Sequence, residues 1–383
     1  MNNFEFRNPV KLIVGKGKIA KLSANVPAGS KVMMTYGGGS IKRNGVYDQV
    51  KKALAAFDVI EFGGIEANPD YATAMKAIAL CKAEKVDFLV AVGGGSIIDA
   101  TKFIAAGANF DGDPWDCVTG KATLPPVIPF GAVLTLPATG SEMNEGAVIS
   151  RRETNEKYPF HNAQGFPTFS ILDPDTLASL PLRQVANGII DTYIHTVEQY
   201  MTTPGSLKVM DYFAEGILKT LIEIAPRLMQ EERSYADHAD FMLAATMGLN
   251  GFIAMGVDED WATHMIGHEL TALHGLDHGV TLSIVYPGTM DVMRAEKEAK
   301  LLQYAARVWG IVEGTTAERI DEAIRRTEAF FQSLGVKTRL GDYGIGEETI
   351  RTIVGRFEER GWRLGENKSV SPAVAEQILR SRL

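Results

Sequence analysis

The sequence predicts an α/β fold on a parallel sheet followed by an all-helical region. Three observations carry this. Strand-like and helix-like segments alternate through roughly the first 180 residues, the pattern of successive βαβ units with right-handed crossovers. One segment, VDFLVAV at 86–92, is a continuous apolar run bounded by glycine, as expected of a strand covered on both faces. From about residue 183 onward only helical periodicity is found. At 383 residues the chain also exceeds what one ordinary core organises. Two domains are expected, 1–180 and 181–383.

In chain order, VKLIVG at 10–15, KVMMTY at 31–36 and VIEFGGI at 59–65 read as strands, and NGVYDQVKKALAAF at 44–57 as an amphipathic helix. YATAMKAIALCKAEK at 71–85 is helical and leads into the 86–92 strand. SIIDATKFIAAGA at 96–108 is the next helix and VIPFGAVLTLPA at 127–138 the next strand. Pro174 and Pro181 bracket a short connector. Helices are then expected within 189–201, 210–229, 238–255, 261–275, 295–309 and 319–335.

Composition narrows the function. The net charge is −8, which argues against nucleic-acid or anionic-membrane binding, since both need a basic face. MNNFEFRNPVKLIVG has no basic stretch followed by an apolar one, so no signal peptide is expected. No apolar run approaches the ~18 residues of a spanning helix. A cytoplasmic protein is the expectation. Cys81 and Cys117 form no C-x-x-C pair and read as ordinary thiols in a reducing compartment.

Loops of small residues follow three of the strands, and two of these loops are glycine-rich. Gly93, Gly94, Gly95 and Ser96 stand between the 86–92 strand and a helix. Glycine lets the backbone approach a phosphate, and a helix N-terminus offers unpaired N–H groups. The same loop equally suits a tight turn, and its spacing is not G-x-G-x-x-G. Asp99, one helical turn after Ser96, is placed to accept a hydrogen bond from a ribose or amide. An earlier loop, Gly37 to Ser40, contains no carboxylate, and Lys42 and Arg43 follow it. In dinucleotide folds an acidic residue near such a strand end holds the ribose hydroxyls. Its absence leaves room for a 2′-phosphate and favours NADP, although both cations equally suit solvent. The third loop, TLPATGSEMN at 135–144, is small and hydroxyl-rich.

Four of the seven histidines lie in HMIGHELTALHGLDH, at 264, 268, 274 and 278. Asp191 and His195, four apart on a predicted helix, share a face. In one unbroken helix His264 and His278 would stand ~21 Å apart, so a shared ion requires a break, for which Gly275 and Gly279 are the candidates. One Asp and three His make an N/O set suited to Fe²⁺ or Zn²⁺. His264 and His268 are not an H-E-x-x-H pair, because no Glu follows the first His. Tyr47 and Lys51 match Y-x-x-x-K but come too early in the chain for an acid–base role, and read as a surface pair.

GGGSIID, LPATGSE, the Asp191/His195 pair and HMIGHELTALHGLDHG, in this order, resemble the iron-containing (group III) alcohol dehydrogenase family over essentially the whole chain. Within it the resemblance is closest to the NADPH-dependent aldehyde reductase and butanol dehydrogenase subgroup, which shares the YGGGS-IKxNGVxDQV and WATHM-GHELTA-HGLDH matches. The resemblance implies an N-terminal Rossmann-like dinucleotide-binding α/β domain, an all-α metal-binding domain and a site in the cleft between them. It implies Asp191, His195, His264 and His278 as metal ligands and His268 as a non-ligand histidine near the nicotinamide and candidate proton relay. It places Gly94, Gly95, Ser96 and Asp99 on the diphosphate and nicotinamide side, Gly38 and Ser40 at the 2′-phosphate and Asn68 near the adenosine. Thr135, Thr139, Ser141, Asn144 and Lys157 would line the cofactor groove. His161, His238 and His274 acquire no role.

The activity so implied is NADP(H)-dependent interconversion of aldehydes and primary alcohols, with a divalent metal, Fe²⁺ or Zn²⁺, polarising the substrate oxygen, in a homodimer. Polyol dehydrogenases and dehydroquinate-synthase-like enzymes also pair a GGG loop with a metal, and a non-enzymatic metal or nucleotide sensor is the third reading. Phe160, Met255 and Trp261 are candidate lining residues of the substrate pocket.

Overall fold

The computed structural model describes residues 2–123, 125–202 and 207–383. The strands are β1 (Lys11–Val14), β2 (Lys31–Tyr36), β3 (Asp58–Phe62), β4 (Phe88–Gly94), β5 (Phe130–Leu136), β6 (Gly146–Arg151), β7 (Glu156–His161) and β8 (Phe169–Leu172). Six of them form one sheet in the order β1-β8-β5-β4-β2-β3, with each adjacent pair parallel. β6 and β7 form a separate antiparallel hairpin. The apolar run expected to be covered on both faces is central: Phe88 to Val92 of β4 are all buried. β1 and β3 stand at the sheet edges and are partly exposed, so the loss of apolar continuity toward the edges follows the loss of a covering layer.

Strands expected at 10–15, 31–36, 59–65, 86–92 and 127–138 all form, within a few residues of those bounds. The hairpin and β8 were not anticipated. β8 is only FSIL, and β7 is EKYPFH, whose proline and charges break the alternation that marks a strand.

The chain packs as two compact units, one comprising Arg7–Pro181 with Arg233–Asn250, the other Leu182–Glu232 and Gly251–Leu383 with the N-terminal segment to Phe6. The helix Tyr235–Gly248 therefore departs from the expectation that everything after residue 180 joins the helical part. Arg233 Nη2 donates to the carbonyls of Ala178 and Leu180, both at 2.9 Å. Thr246 Oγ1 donates to the buried Glu142 Oε1 at 2.5 Å, and Asn144 Nδ2 donates to the Leu249 carbonyl at 2.9 Å. Polar partners distant in sequence, with Thr246–Glu142 buried among them, tie it there and are invisible to a periodicity.

In the helical unit the principal helices are Leu182–Tyr200, Lys208–Leu228, Ala262–His274, His278–Val292, Glu298–Arg307, Thr316–Ser333, Glu347–Glu359 and Pro372–Arg380. Its core joins Ile266, Leu270, Ile284, Val285, Ile353, Phe357, Ile378 and Leu379, among others. His278–Val292 was not anticipated as a helix. It is buried over most of its length and carries Pro287, so it shows neither an amphipathic stripe nor an uninterrupted helical sequence.

Candidate active site

In the α/β unit, β5, β4 and β2 are neighbours and parallel, so the loops after them emerge side by side at the carboxyl edge of the sheet, where open α/β folds bind ligands. Contact between the loops is close. A Cβ on Gly95 would lie 2.3 Å from Thr139 Oγ1, and one on Gly94 2.9 Å from Leu136 Cβ. Gly37 abuts Ile97 at 3.3 Å by the same measure. The thirteen-residue helix Gly95–Gly107 starts at Gly94 with no side-chain cap, leaving its first N–H groups for a ligand. Gly38 and Ser40 are exposed, and Ser96 and Thr139 half-exposed. These features fit a dinucleotide diphosphate.

Beneath the loops lies a buried polar network. Lys102 Nζ donates to Ser141 Oγ (2.8 Å), Asn144 Oδ1 (2.9 Å) and the Gly146 carbonyl (2.6 Å). Ser141 Oγ donates to Asp99 Oδ1 at 2.6 Å, and the Val148 N–H donates to Asp99 Oδ2 at 3.0 Å. Burial pushes Lys102 down to about 8, against the opposing pull of Asp99, and pushes the Asp99 carboxyl up. Lys157 Nζ donates to Asn68 Oδ1 at 2.9 Å, so these two expected cofactor residues meet across 89 positions of sequence. Thr135 is buried on β5. All of the expected cofactor residues lie in this unit.

Where a dinucleotide fold would offer a ribose-binding acid, the nearby carboxylate is engaged. Glu61 on β3 accepts from Tyr47 Oη (2.8 and 3.0 Å), Lys51 Nζ (2.8 Å) and Tyr36 Oη (3.2 Å). Lys42 Nζ sits over the Tyr36 and Tyr47 rings, 5.0 and 4.9 Å from their centroids. Tyr47 and Lys51, read from the sequence as a surface pair, are half-buried and share Glu61 as their partner.

In the helical unit, Asp191 and His195 share the buried face of Leu182–Tyr200. His264 lies in the first turn of Ala262–His274, and His278 opens the next helix. Gly275, at φ +67°, ends the first helix in the left-handed conformation that glycine favours. Gly279 has another task than the break expected of it: a Cβ there would lie 2.6 Å from the Asn187 carbonyl oxygen, so it permits close approach to Leu182–Tyr200.

One ligand atom from each of Asp191, His195, His264 and His278 lies within 4.8 Å of all the others. Asp191 Oδ1 is 3.6, 3.7 and 3.4 Å from Nε2 of His195, His264 and His278. Tetrahedral ligands at ~2.0–2.2 Å from an ion stand ~3.3–3.6 Å apart, so the donors already sit near coordination spacing. His264 Nε2 is buried and has no hydrogen-bond partner, a cost that an ion would remove. Burial alone would lower the His264 pKa, but Glu198 and Asp191 outweigh it and raise it to about 9. The set fits one divalent metal.

His268 is buried beside the cluster, its ring 5.3 Å from that of His278 and 6.2 Å from that of His264. Trp261 holds φ +62°, unusual for a bulky residue, and its ring lies 5.1 Å from His264 and 6.0 Å from His195. Phe160 packs instead on Phe103 in the α/β core. His274 bonds Thr349, at 2.9 Å, and is not one of the four clustered donors. Sequence reasoning missed Lys102 and Glu198. A lysine inside an otherwise apolar helix three residues after Asp99, and an acid three residues after His195, were the available signals.

The chain is similar to known proteins over nearly its whole length. Residues 9–174 match the family described as iron-containing alcohol dehydrogenase, and residues 185–380 match the C-terminal region of that family. The chain is 53% identical over 382 residues to the NADPH-dependent aldehyde reductase YqhD of Escherichia coli, covering 99% of each. It is 42% identical to a probable NADH-dependent butanol dehydrogenase of Bacillus subtilis, covering 100% of each. A solved structure of the E. coli protein superposes with a TM-score of 0.98 at 52% identity, covering 100% of this chain and 99% of that one.

Proposed function

The chain belongs to the iron-containing alcohol dehydrogenase family, and on that premise we propose how its own residues perform the NADP-dependent interconversion of aldehydes and alcohols that defines its activity. The observation that carries the reading is the Asp191/His195/His264/His278 cluster at coordination spacing. In the proposal these four hold one Fe²⁺ or Zn²⁺, and the loops around Gly38, Ser40, Gly94, Gly95, Ser96, Thr139 and Ser141 hold NADPH. Asp99, Asn144, Thr135, Asn68 and Lys157 complete the cofactor groove. When bound, the nicotinamide supplies hydride and the metal supplies Lewis acidity at the substrate oxygen.

The protein's part is to position, exclude water and deliver a proton. The Gly95 and Ser96 N–H groups carry the diphosphate on a helix N-terminus. Asp99 and Ser141, fastened to each other and to Lys102, fix the wall on the nicotinamide side. His268 gives its proton to the oxygen that has gained charge as the carbonyl is reduced. Preference for NADPH over NADH is supported by the missing carboxylate in Tyr36–Ser40 and by the engagement of Glu61 with Tyr36, Tyr47 and Lys51. Trp261, packed against two of the ligand histidines, walls the substrate pocket.

A cytoplasmic homodimer is part of the same proposal; among the described residues no helix is long and apolar enough to cross a membrane. The deciding experiment is NADPH and NADH consumption against a chain-length series of aldehydes, on protein of measured metal content, with glycerol oxidation alongside. Aldehyde reduction with NADPH favoured is expected. Faster turnover of polyols with NAD would refute the reading.

A further inference from the structure

Glu198 is not among the four clustered donors, yet it is 2% exposed and lies two turns beyond Asp191 on the same helix face. Each of its carboxylate oxygens has a separate task. Oε1 accepts the Thr263 N–H at 2.7 Å. Oε2 pairs with Nδ1 of His264. Thr263 and His264 belong to the first turn of Ala262–His274, whose N-cap residue, Trp261, provides no side-chain cap. One carboxylate therefore satisfies a helix-start N–H that would otherwise be orphaned and grips the ring next to it. The neighbouring backbone reinforces this: the Asp260 N–H donates to the Glu198 carbonyl, and the Ala262 N–H to Asp260 Oδ1, both at 2.9 Å.

The consequence for His264 is chemical. A carboxylate only accepts, so in the neutral ring that metal binding requires Nδ1 carries the proton and the lone pair stands on Nε2. Nε2 is the atom that faces Asp191 Oδ1 at 3.7 Å. The ring is also held in plane by stacking on His195, with centroids 4.6 Å apart and planes 16° from parallel. Without Glu198 nothing at Nδ1 would prevent the other tautomer, whose Nε2–H points into the cluster.

We propose that Glu198 is the positioning residue of the metal centre: it fixes the tautomer and orientation of His264 so that Nε2 is ready for the ion. The proposal rests on the reading of the four donors as a metal site. Carboxylate–histidine pairs of this kind change metal affinity roughly 10- to 100-fold when broken.

The test is metal binding, separate from turnover. Full-length wild type, Glu198→Gln and Glu198→Ala would be stripped with chelator and titrated with Zn²⁺ against a chromophoric competitor, and with Co²⁺ by its visible absorption. Thermal melting of each stripped protein would be recorded in parallel. Gln retains an oxygen for Thr263 N–H but turns its NH₂ toward Nδ1, which favours the wrong tautomer. It is expected to bind Zn²⁺ at least tenfold more weakly than wild type, with an altered Co²⁺ spectrum, while its stripped form melts within a few degrees of stripped wild type.

Zn²⁺ affinity within twofold of wild type in both variants overturns the proposal. So does a loss of affinity in Gln that is accompanied by an equally large loss of stability in the stripped protein, which is the signature of a purely structural carboxylate. Failure of wild type itself to bind one ion would instead overturn the metal-site reading.

Discussion

Ser141 Oγ donates to Asp99 Oδ1 at 2.6 Å, fastening the loop after β5 to the helix that begins at Gly95. Because Ser141 also accepts from Lys102, the hydroxyl relays between a buried cation and a buried anion. Asp99→Ala should cost on the order of 3 kcal/mol, since it strands a buried charge, and Ser141→Ala about 1–2 kcal/mol. In urea unfolding the double variant should fall well short of the sum of the two single losses. Simple additivity would show that the three groups do not act as one network.

Lys102 makes stability depend on pH in a defined window. Its folded pKa of about 8 lies below its usual 10.5, so between these values the unfolded chain binds more protons than the folded one. The burial penalty is therefore fully present below pH 8 and is relieved as pH rises toward 10.5. Unfolding free energy relative to a Lys102→Met variant should increase by on the order of 2 kcal/mol between pH 7 and 10. A difference that is flat or falls over that range would contradict the assignment.

The two glycines near His278 should respond differently. Gly279→Ala drives a methyl onto the Asn187 carbonyl oxygen. It should cost about 1–3 kcal/mol and weaken Zn²⁺ binding at least tenfold by separating His278 from Asp191. Gly275→Ala meets open space, but at φ +67°. It should cost about 1 kcal/mol with metal affinity nearly intact, as calorimetric titration would show.

Removal of a proposed ligand should differ from removal of its neighbour. Asp191→Ala and His278→Ala should each lose bound metal and activity together, whereas His268→Ala should keep a full complement of metal and change the pH–rate profile. Metal analysis beside kinetics decides this. Full occupancy in an inactive His278→Ala protein would remove that residue from the ligand set.

The two thiols should be sluggish. Burial pushes the Cys81 thiol up to about 12, and Cys117 is raised as well, so little thiolate forms near neutrality. Ellman's reagent at pH 7.5 should titrate both only after denaturation, and rapid labelling of the native protein would contradict their burial.

Much of the site was legible because its chemistry needs recognisable residues. Asp191 and His195 at helical spacing, the His264/His278 pair and the glycine loops announce themselves, and so do the central strands β2, β4 and β5 with their long apolar runs. What escaped depends on partners far away in sequence. Glu198 matters through His264, 66 residues on. Lys102 matters through the loop at 141–146. Gly279 marks the place where two helices approach rather than where one ends. Helix His278–Val292 escaped because burial on all sides erases the amphipathic stripe.

The return of Arg233–Asn250 to the α/β unit bears on how the protein is made. A ribosome that has finished the last strand, at Leu172, has not yet supplied the segment that receives Glu142 and Asn144. At ~5–20 residues per second, roughly 80 further residues delay completion by several seconds, during which a nascent sheet waits with a buried-type carboxylate still facing water. Splitting the gene after residue 181 would make that wait permanent. The α/β half is therefore separable on paper at the connector, but the polypeptide has to be read two-thirds of the way through before that half can close.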